Sequence, residues 1–366
     1  MSLARLTADD VKELREALEH VGAFERRSGW TWVRFFLLLG VSFALCLTAL
    51  RGPWWVTLPL FPLSALTLTI AALYGHEGGH KSLSTRPLEN EFMYYLAFPF
   101  LGGLGAVHWN AKHNIGHHGH PNSMGDAQTT DPDLDLWPMA SSKVQYEASG
   151  PLRQAFQRRF QAVAFWPLTM LLVFAMRFES LLALRRHFKK RGADRAFRLD
   201  ALALTGHYLC WIVLPGLYFG FGPTLAIYGG LWSFSGLFLA GIFVCAHFGL
   251  PIFGRVDDTW LLQMRATRNV KLSRFTAWSF VGLDHQIEHH LFPRMSHHKM
   301  RIASPIVKAW AERKGAPYEA LPLIPALVEA TRFMGRAWNE DLVVDAPAPA
   351  AAPTVEESAP AELMSA

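Results

Sequence analysis

The sequence predicts an all-α integral membrane protein in which four transmembrane helices carry a cytoplasmic helical cap that holds a histidine-ligated di-metal site. Three observations lead there. Of the 366 residues 51% are hydrophobic, with 13 Trp and 26 Phe, and the mean hydropathy is positive at +0.14, as expected of a membrane chain. Four apolar runs have the length and near-freedom from charge that a bilayer crossing needs. Seven histidines fall in three short clusters: His76-Glu77-Gly78-Gly79-His80, His113-Asn114-Ile115-Gly116-His117-His118 and Gln286-Ile287-Glu288-His289-His290.

Residues 1–29 are polar and charged, and Thr7-Ala8-Asp9-Asp10 followed by Val11, Leu14, Leu18 and Val21 at helical spacing predicts a capped amphipathic helix on the membrane or on the protein. No small-residue cleavage site follows the first apolar run, so no cleaved signal peptide is expected. The membrane domain is expected over 30–300, with spans near 32–50, 54–74, 206–221 and 223–246. Arg26, Arg27 and Arg34 mark the first end as cytoplasmic, and the second span then delivers His76 to that same side.

Two further apolar runs are assigned otherwise. Residues 92–107 are short and weakened by Gly102, Gly103 and Gly105, and a full crossing would put His113 on the wrong side of the membrane from His76. A re-entrant or interfacial hairpin keeps the clusters together. Residues 160–178 are broken by Pro167 and followed by Arg185, Arg186, Lys189, Lys190, Arg191, Arg195 and Arg198, a positive-inside signal that places this run at the cytoplasmic interface. Residues 301–344 predict short cytoplasmic helices under the site, and 345–366, rich in Ala, Pro and Glu, a disordered tail.

A net charge of +5 and a pI near 9.1 fit contact with anionic lipid headgroups or an acidic protein, and no nucleic-acid-binding motif occurs. Cys46, Cys210 and Cys245 all lie in apolar runs without a paired spacing, which reads as small packed side chains rather than disulfides or zinc ligands.

Imidazoles at i and i+4, or i+3 and i+4, leave one face of a helix and can converge on a metal. Seven of them exceed what one ion can use, so a two-metal centre follows if the clusters meet. Imidazole suits Fe, Zn, Cu and Ni alike, so ligand type does not name the metal. His247 ends the fourth span as His76 ends the second, and is either a further ligand or a histidine hydrogen-bonded at a helix end. Glu77, Asp284 and Glu288 read as carboxylates that orient imidazoles or as solvated helix ends, and Asp131, in the acidic run Asp126, Asp131, Asp133 and Asp135, has the same two readings. A rival reading takes His76-Glu77-Gly78-Gly79-His80 as the H-E-x-x-H of an intramembrane zinc metalloprotease, which leaves the other five histidines without purpose. A metal transporter would need polar residues within the spans, and these are nearly free of them.

The three clusters, in this order and in these positions relative to the spans, resemble the histidine boxes of the membrane fatty acid desaturases. The likeness extends to HNIGHHGHPNSMGDAQTTDPDLDL over 113–136 and DHQIEHHLFPR over 284–294, and covers roughly 30–300. Gln286 stands where the commoner third box has histidine, as in front-end and some bacterial acyl-lipid desaturases. The resemblance implies two iron ions bound by His76, His80, His113, His117, His118, His289 and His290, with His247 and Gln286 as weaker candidates. It also implies dioxygen as co-substrate and a fatty acyl substrate, acyl-lipid or acyl-CoA. The sequence contains no His-Pro-Gly-Gly motif of a fused cytochrome b5-like domain, so electrons are expected from a separate ferredoxin or cytochrome b5-like carrier. The activity implied is insertion of a cis double bond, with di-iron lipid or carotenoid hydroxylation as the alternative. The Gln-containing third box favours desaturation.

Overall fold

The computed structural model describes residues 6–125, 129–254 and 259–344. The expected disordered tail at 345–366 and Asp126 lie outside them.

Among the described residues, four helices are long and apolar enough to cross a bilayer: Ser28–Arg51, Trp54–Gly79, Arg195–Phe219 and Phe221–His247. They are called spans one to four. The first two form a hairpin at Gly52 and Pro53, tied by Ser42 and Ser64, whose hydroxyls each donate to the other residue's carbonyl. Spans three and four meet at Gly220, whose φ of +88° suits a residue without Cβ, two residues before the expected Gly222-Pro223 turn. Exposed Trp54, Trp55, Tyr218 and Phe219 sit at these two hairpin ends, the pattern of an interfacial aromatic belt. Span three begins at Arg195 rather than near 206, because Asp194 caps it by accepting from the Phe197 amide and the helix runs on through charged residues before the apolar stretch begins. Cys210 is exposed on this apolar helix, whereas Cys46 and Cys245 are buried.

The apolar 92–107 segment folds back on itself. Helix Pro87–Tyr95 continues as a π-helix over Leu96–Gly102, turns at Gly103 with φ +69°, and returns through Ala106–Trp109. A turn of this kind frees backbone groups that lipid cannot satisfy. Flanking side chains satisfy them instead: Arg177 donates through Nε and Nη2 to the Gly102 carbonyl at 3.0 and 2.7 Å, and His207 lies 3.0 Å from the Phe100 carbonyl. Ser180 accepts from the Gly105 amide, and the Asp200 carboxylate accepts from the amides of Ala106 and Val107 at 2.8 and 3.0 Å. Arg177 itself is buried with its guanidinium over Trp232 and Tyr228, at 4.2 and 4.8 Å from the ring centroids. The 160–178 run forms Gln161–Thr169 and Leu172–Arg191, two helices bent by 70° at a short break, with Pro167 inside the first of them.

The N-terminal helix, Ala8–His20, starts with a capping box between Thr7 and Asp10 and packs on protein. Its Leu14 and Leu18 are buried against helix His297–Lys314, and Asp10 and Glu13 pair with Lys314 and Arg313. The chain is not purely α-helical. Ile252–Phe253 pairs in parallel with Val343–Val344, and Asn269–Lys271 with Ala320–Pro322. These short ladders form where the stretches after span four run extended beside the C-terminal segments, leaving backbone groups that a neighbouring strand can satisfy.

Replacing Arg177 with Met keeps much of the side-chain bulk but leaves the Gly102 carbonyl unpaired. It is expected to cost about 1–3 kcal/mol of stability, read as a lower melting temperature in detergent, and an unchanged melting temperature would show that the hairpin tip is held by other contacts.

Candidate metal centre

All three histidine clusters and His247 meet in one buried volume. His76 lies in the last turn of span two and His80 caps it, with ring centroids 4.4 Å apart. The second cluster sits on a π-helix, Asn110–His117, rather than an α-helix, and this decides its geometry. With i to i+5 bonding, His118 comes over His113 and their Nε2 atoms approach to 3.2 Å, where α-helical winding would turn them well apart. The third cluster is the fully buried helix Gln286–Leu291.

The donors separate into two groups. Ring nitrogens of His76, His80, His113 and His289 lie within 4.8 Å of one another, and so do those of His117, His247 and His290. His118 stands between them, with centroids 4.7 Å from His80 and 4.4 Å from His290. A third overlapping group adds the half-exposed Asp133 to His113 and His117. Each of the later two clusters thus contributes to both main groups, the first cluster to one and span four to the other.

These atoms fit metal ions and do not satisfy each other. His113 Nε2 lies 3.2 Å from the Nε2 of His76, His80 and His118, yet a single ring nitrogen has one proton or one lone pair and cannot serve three such contacts. His247 Nε2, His290 Nε2 and both ring nitrogens of His289 are buried without a hydrogen-bond partner. Burial drives His80 down to about 3, and burial with neighbouring imidazoles holds His113, His118, His289 and His290 well below the ordinary imidazole value. Both effects favour the neutral imidazole, the form that binds a metal. His117 differs: burial lowers it, but the Asp131 carboxylate outweighs that and pushes it up to about 9.

In the second group each outer nitrogen has an acceptor. Asp131 takes His117 Nδ1 at 3.0 Å, Gln263 Oε1 takes His290 Nδ1 at 2.8 Å, and the Ala266 carbonyl takes His247 Nδ1 at 3.0 Å. Bonds of this kind fix tautomer and ring orientation.

The family model described as fatty acid desaturase matches residues 52–322. The chain belongs to the fatty acid desaturase family. It is similar to the mouse fatty acid desaturase 2-like protein FADS2B, 26% identical over 89% of this chain and 66% of that protein, and to bovine fatty acid desaturase 3, 27% identical over 90% and 73%. It is also similar to the Caenorhabditis elegans Delta(5) fatty acid desaturase fat-4, 27% identical over 66% of this chain and 55% of that protein. The chain therefore spans roughly half to three quarters of the length of these desaturases.

Within this desaturase fold, Asp131 lies 3.0 Å from His117 Nδ1 and also accepts from the amides of Asn122 and Asp133. Three other carboxylates touch something else. Glu77 accepts from the His297 amide at 2.8 Å and has His297 Nδ1 2.6 Å from its Oε2, because its helical position turns it away from His76 and His80. Glu288 accepts from Asn269 and Tyr318 at 2.7 Å each, and burial pushes it up to about 7. Asp284 is 3.6 Å from His285, and burial pushes it up to about 6. Gln286 is buried with its amide nitrogen unpartnered. The glycines of the first box have a packing role: a Cβ on Gly78 would meet Asn90 O and Tyr94 N at 2.6 Å, so the Pro87–Tyr95 helix can cross span two beside the histidines only there.

Sequence reasoning did not find Gln263, Asn269 or Tyr318, which lie outside every box and carry no motif. Nor did it find Trp109, which stacks on His113 with centroids 4.2 Å apart. Trp109 and Phe243 also line a narrow apolar cavity of about 20 Å³ beside the first metal group, bounded by Leu73, Phe98, Trp232 and Leu239.

The Glu288→Ala variant leaves Asn269 and Tyr318 without their shared acceptor and should lose about 1–3 kcal/mol, whereas Glu288→Gln keeps the shape and should lose much less. Both should retain bound metal as the parent does. Metal loss in Glu288→Gln, measured by elemental analysis, would return Glu288 to the set of residues that orient ligands.

Proposed function

We propose that this protein is a membrane-bound fatty acyl desaturase that introduces a cis double bond into an acyl-lipid or acyl-CoA substrate. The observation that carries the reading is the meeting of seven buried imidazoles, in two groups with the half-buried His118 between them, against an apolar cavity. The protein is an oxidoreductase of lipid metabolism, and relatives named as a Delta(5) fatty acid desaturase and an acyl-lipid (9-3)-desaturase support an acyl substrate.

His76, His80, His113 and His289 would hold one iron and His117, His247 and His290 the other, with His118 between them. Gln286, one turn before His289 and His290, offers a weaker amide oxygen donor. Bound iron supplies the activation of dioxygen that removal of hydrogen from an unactivated methylene requires, since no side chain is a strong enough oxidant. The chain's own residues do the rest. Asp131, Gln263 and the Ala266 carbonyl hold the second group's imidazoles with Nε2 turned inward. Trp109, Phe98 and Phe243 present an apolar wall beside the first group, where an acyl chain parts the side chains, lies extended and excludes water.

The centre faces the cytoplasm in this reading. Arg26 and Arg34 lie at the same end as the boxes, Arg26 reaching the Ser84 carbonyl and Arg34 lying over Tyr74, and basic flanks mark the cytoplasmic side. Electrons come from a separate carrier, a ferredoxin or a cytochrome b5-like protein. Glu77, engaged with His297, is not free to act as the general base of a zinc protease.

Expression in a host with a defined lipid composition, beside a His289→Ala/His290→Ala variant, tests the function. Two irons per chain and a new unsaturated acyl species, both lost in the variant, are expected. A new hydroxy-lipid would move the assignment to a di-iron hydroxylase, and one zinc with unchanged lipids would overturn it.

A further inference from the structure

One residue outside every histidine box touches two of them. Gln263, buried on helix Thr259–Arg265, donates from Nε2 to the carbonyl of His118 at 2.8 Å and accepts from Nδ1 of His290 at 2.8 Å. The chemistry of these partners fixes the whole arrangement. A carbonyl oxygen can only accept, so the amide nitrogen must face His118 and the amide oxygen must face His290. The amide oxygen in turn can only accept, so the His290 proton must be on Nδ1. Its Nε2, buried and without a partner, is left as a lone pair directed into the second group with His117 and His247.

We infer that Gln263 is a positioning residue for one of the two metals: it selects the His290 tautomer and ties the second box to the third. The inference rests on the two-metal reading above. Gln263 differs from the group's other acceptors in joining two segments with one side chain, whereas Asp131 and the Ala266 carbonyl each hold a single imidazole. Its neutrality matters as well. A carboxylate at 263 would still accept from His290 but would set an anionic oxygen against the His118 carbonyl, so Gln263→Glu keeps the first role and removes the second. Gln263→Leu removes both.

The test uses the full chain purified in detergent, and follows iron per chain, iron release to an excess of chelator, and the visible absorption of the cobalt(II)-substituted protein. Gln161→Leu serves as the control, because Gln161 is an equally buried glutamine that bonds the backbone of Ala140 and Met334, away from the histidines. In Gln263→Leu one of the two irons should leave at least about tenfold faster while the other is retained as in the parent. Gln263→Glu should keep both irons with an altered cobalt spectrum, and Gln161→Leu should melt lower with parental release of both. Parental release of both irons from Gln263→Leu, or equal acceleration of both in Gln263→Leu and Gln161→Leu alike, would overturn the inference. Should Gln263→Leu not fold, an unchanged release rate and cobalt spectrum in Gln263→Glu would overturn it. Fewer than two irons in the parent would instead sink the two-metal reading itself.

Discussion

Eight imidazoles sharing one buried volume is the constraint on which the rest of the structure depends. Buried ring nitrogens that meet only one another are costly, because each has a single proton or lone pair and no water to turn to. The fold resolves this by sorting the nitrogens. Several outer Nδ1 atoms are taken up by a carboxylate, an amide and a backbone carbonyl, so that the inner Nε2 atoms are left to share metal ions. The two groups draw on four separate stretches of chain, and so the spans, the hairpin and the cap must be fixed relative to one another before either site exists.

The membrane imposes the second constraint. His76 and His247 come from the ends of two long apolar helices, whose backbone satisfies itself in lipid. The segment that brings His113, His117 and His118 beside them folds back on itself, which breaks that self-sufficiency at Gly102 to Val107. Arg177, Ser180, Asp200 and His207 make good the loss from neighbouring helices. An arginine buried among Trp232 and Tyr228 is explained by this duty. The π-helical winding of Asn110–His117 after the turn is part of the same solution, since it lets His113 and His118 face one another five residues apart.

The cap ties these elements together through polar contacts that avoid the metal positions. Glu288 joins its short helix to Asn269 and Tyr318, Glu77 holds the start of helix His297–Lys314, and the N-terminal helix locks onto that helix through Asp10, Glu13, Lys314 and Arg313. A carboxylate next to a ligating histidine in sequence is therefore poor evidence that it orients that histidine. On a helix, adjacent side chains point about 100° apart, so the neighbour of an inward residue is placed to bond outward.

Much of the protein was legible in its sequence. Hydropathy and the rarity of charge marked the four spans, and the cluster spacings, with His76 and His247 at helix ends, marked a shared histidine site able to hold metal. These are properties of short stretches, which a chain carries whatever it packs against. The tertiary structure alone decided that the second cluster winds as a π-helix and that each of the later two clusters divides between both metal groups. It alone turned Glu77 toward His297 and brought Gln263 to His118 and His290. Those outcomes depend on contacts between residues up to 220 positions apart, as between Glu77 and His297, and no local periodicity records which distant backbone group or side chain will arrive to satisfy a buried polar atom.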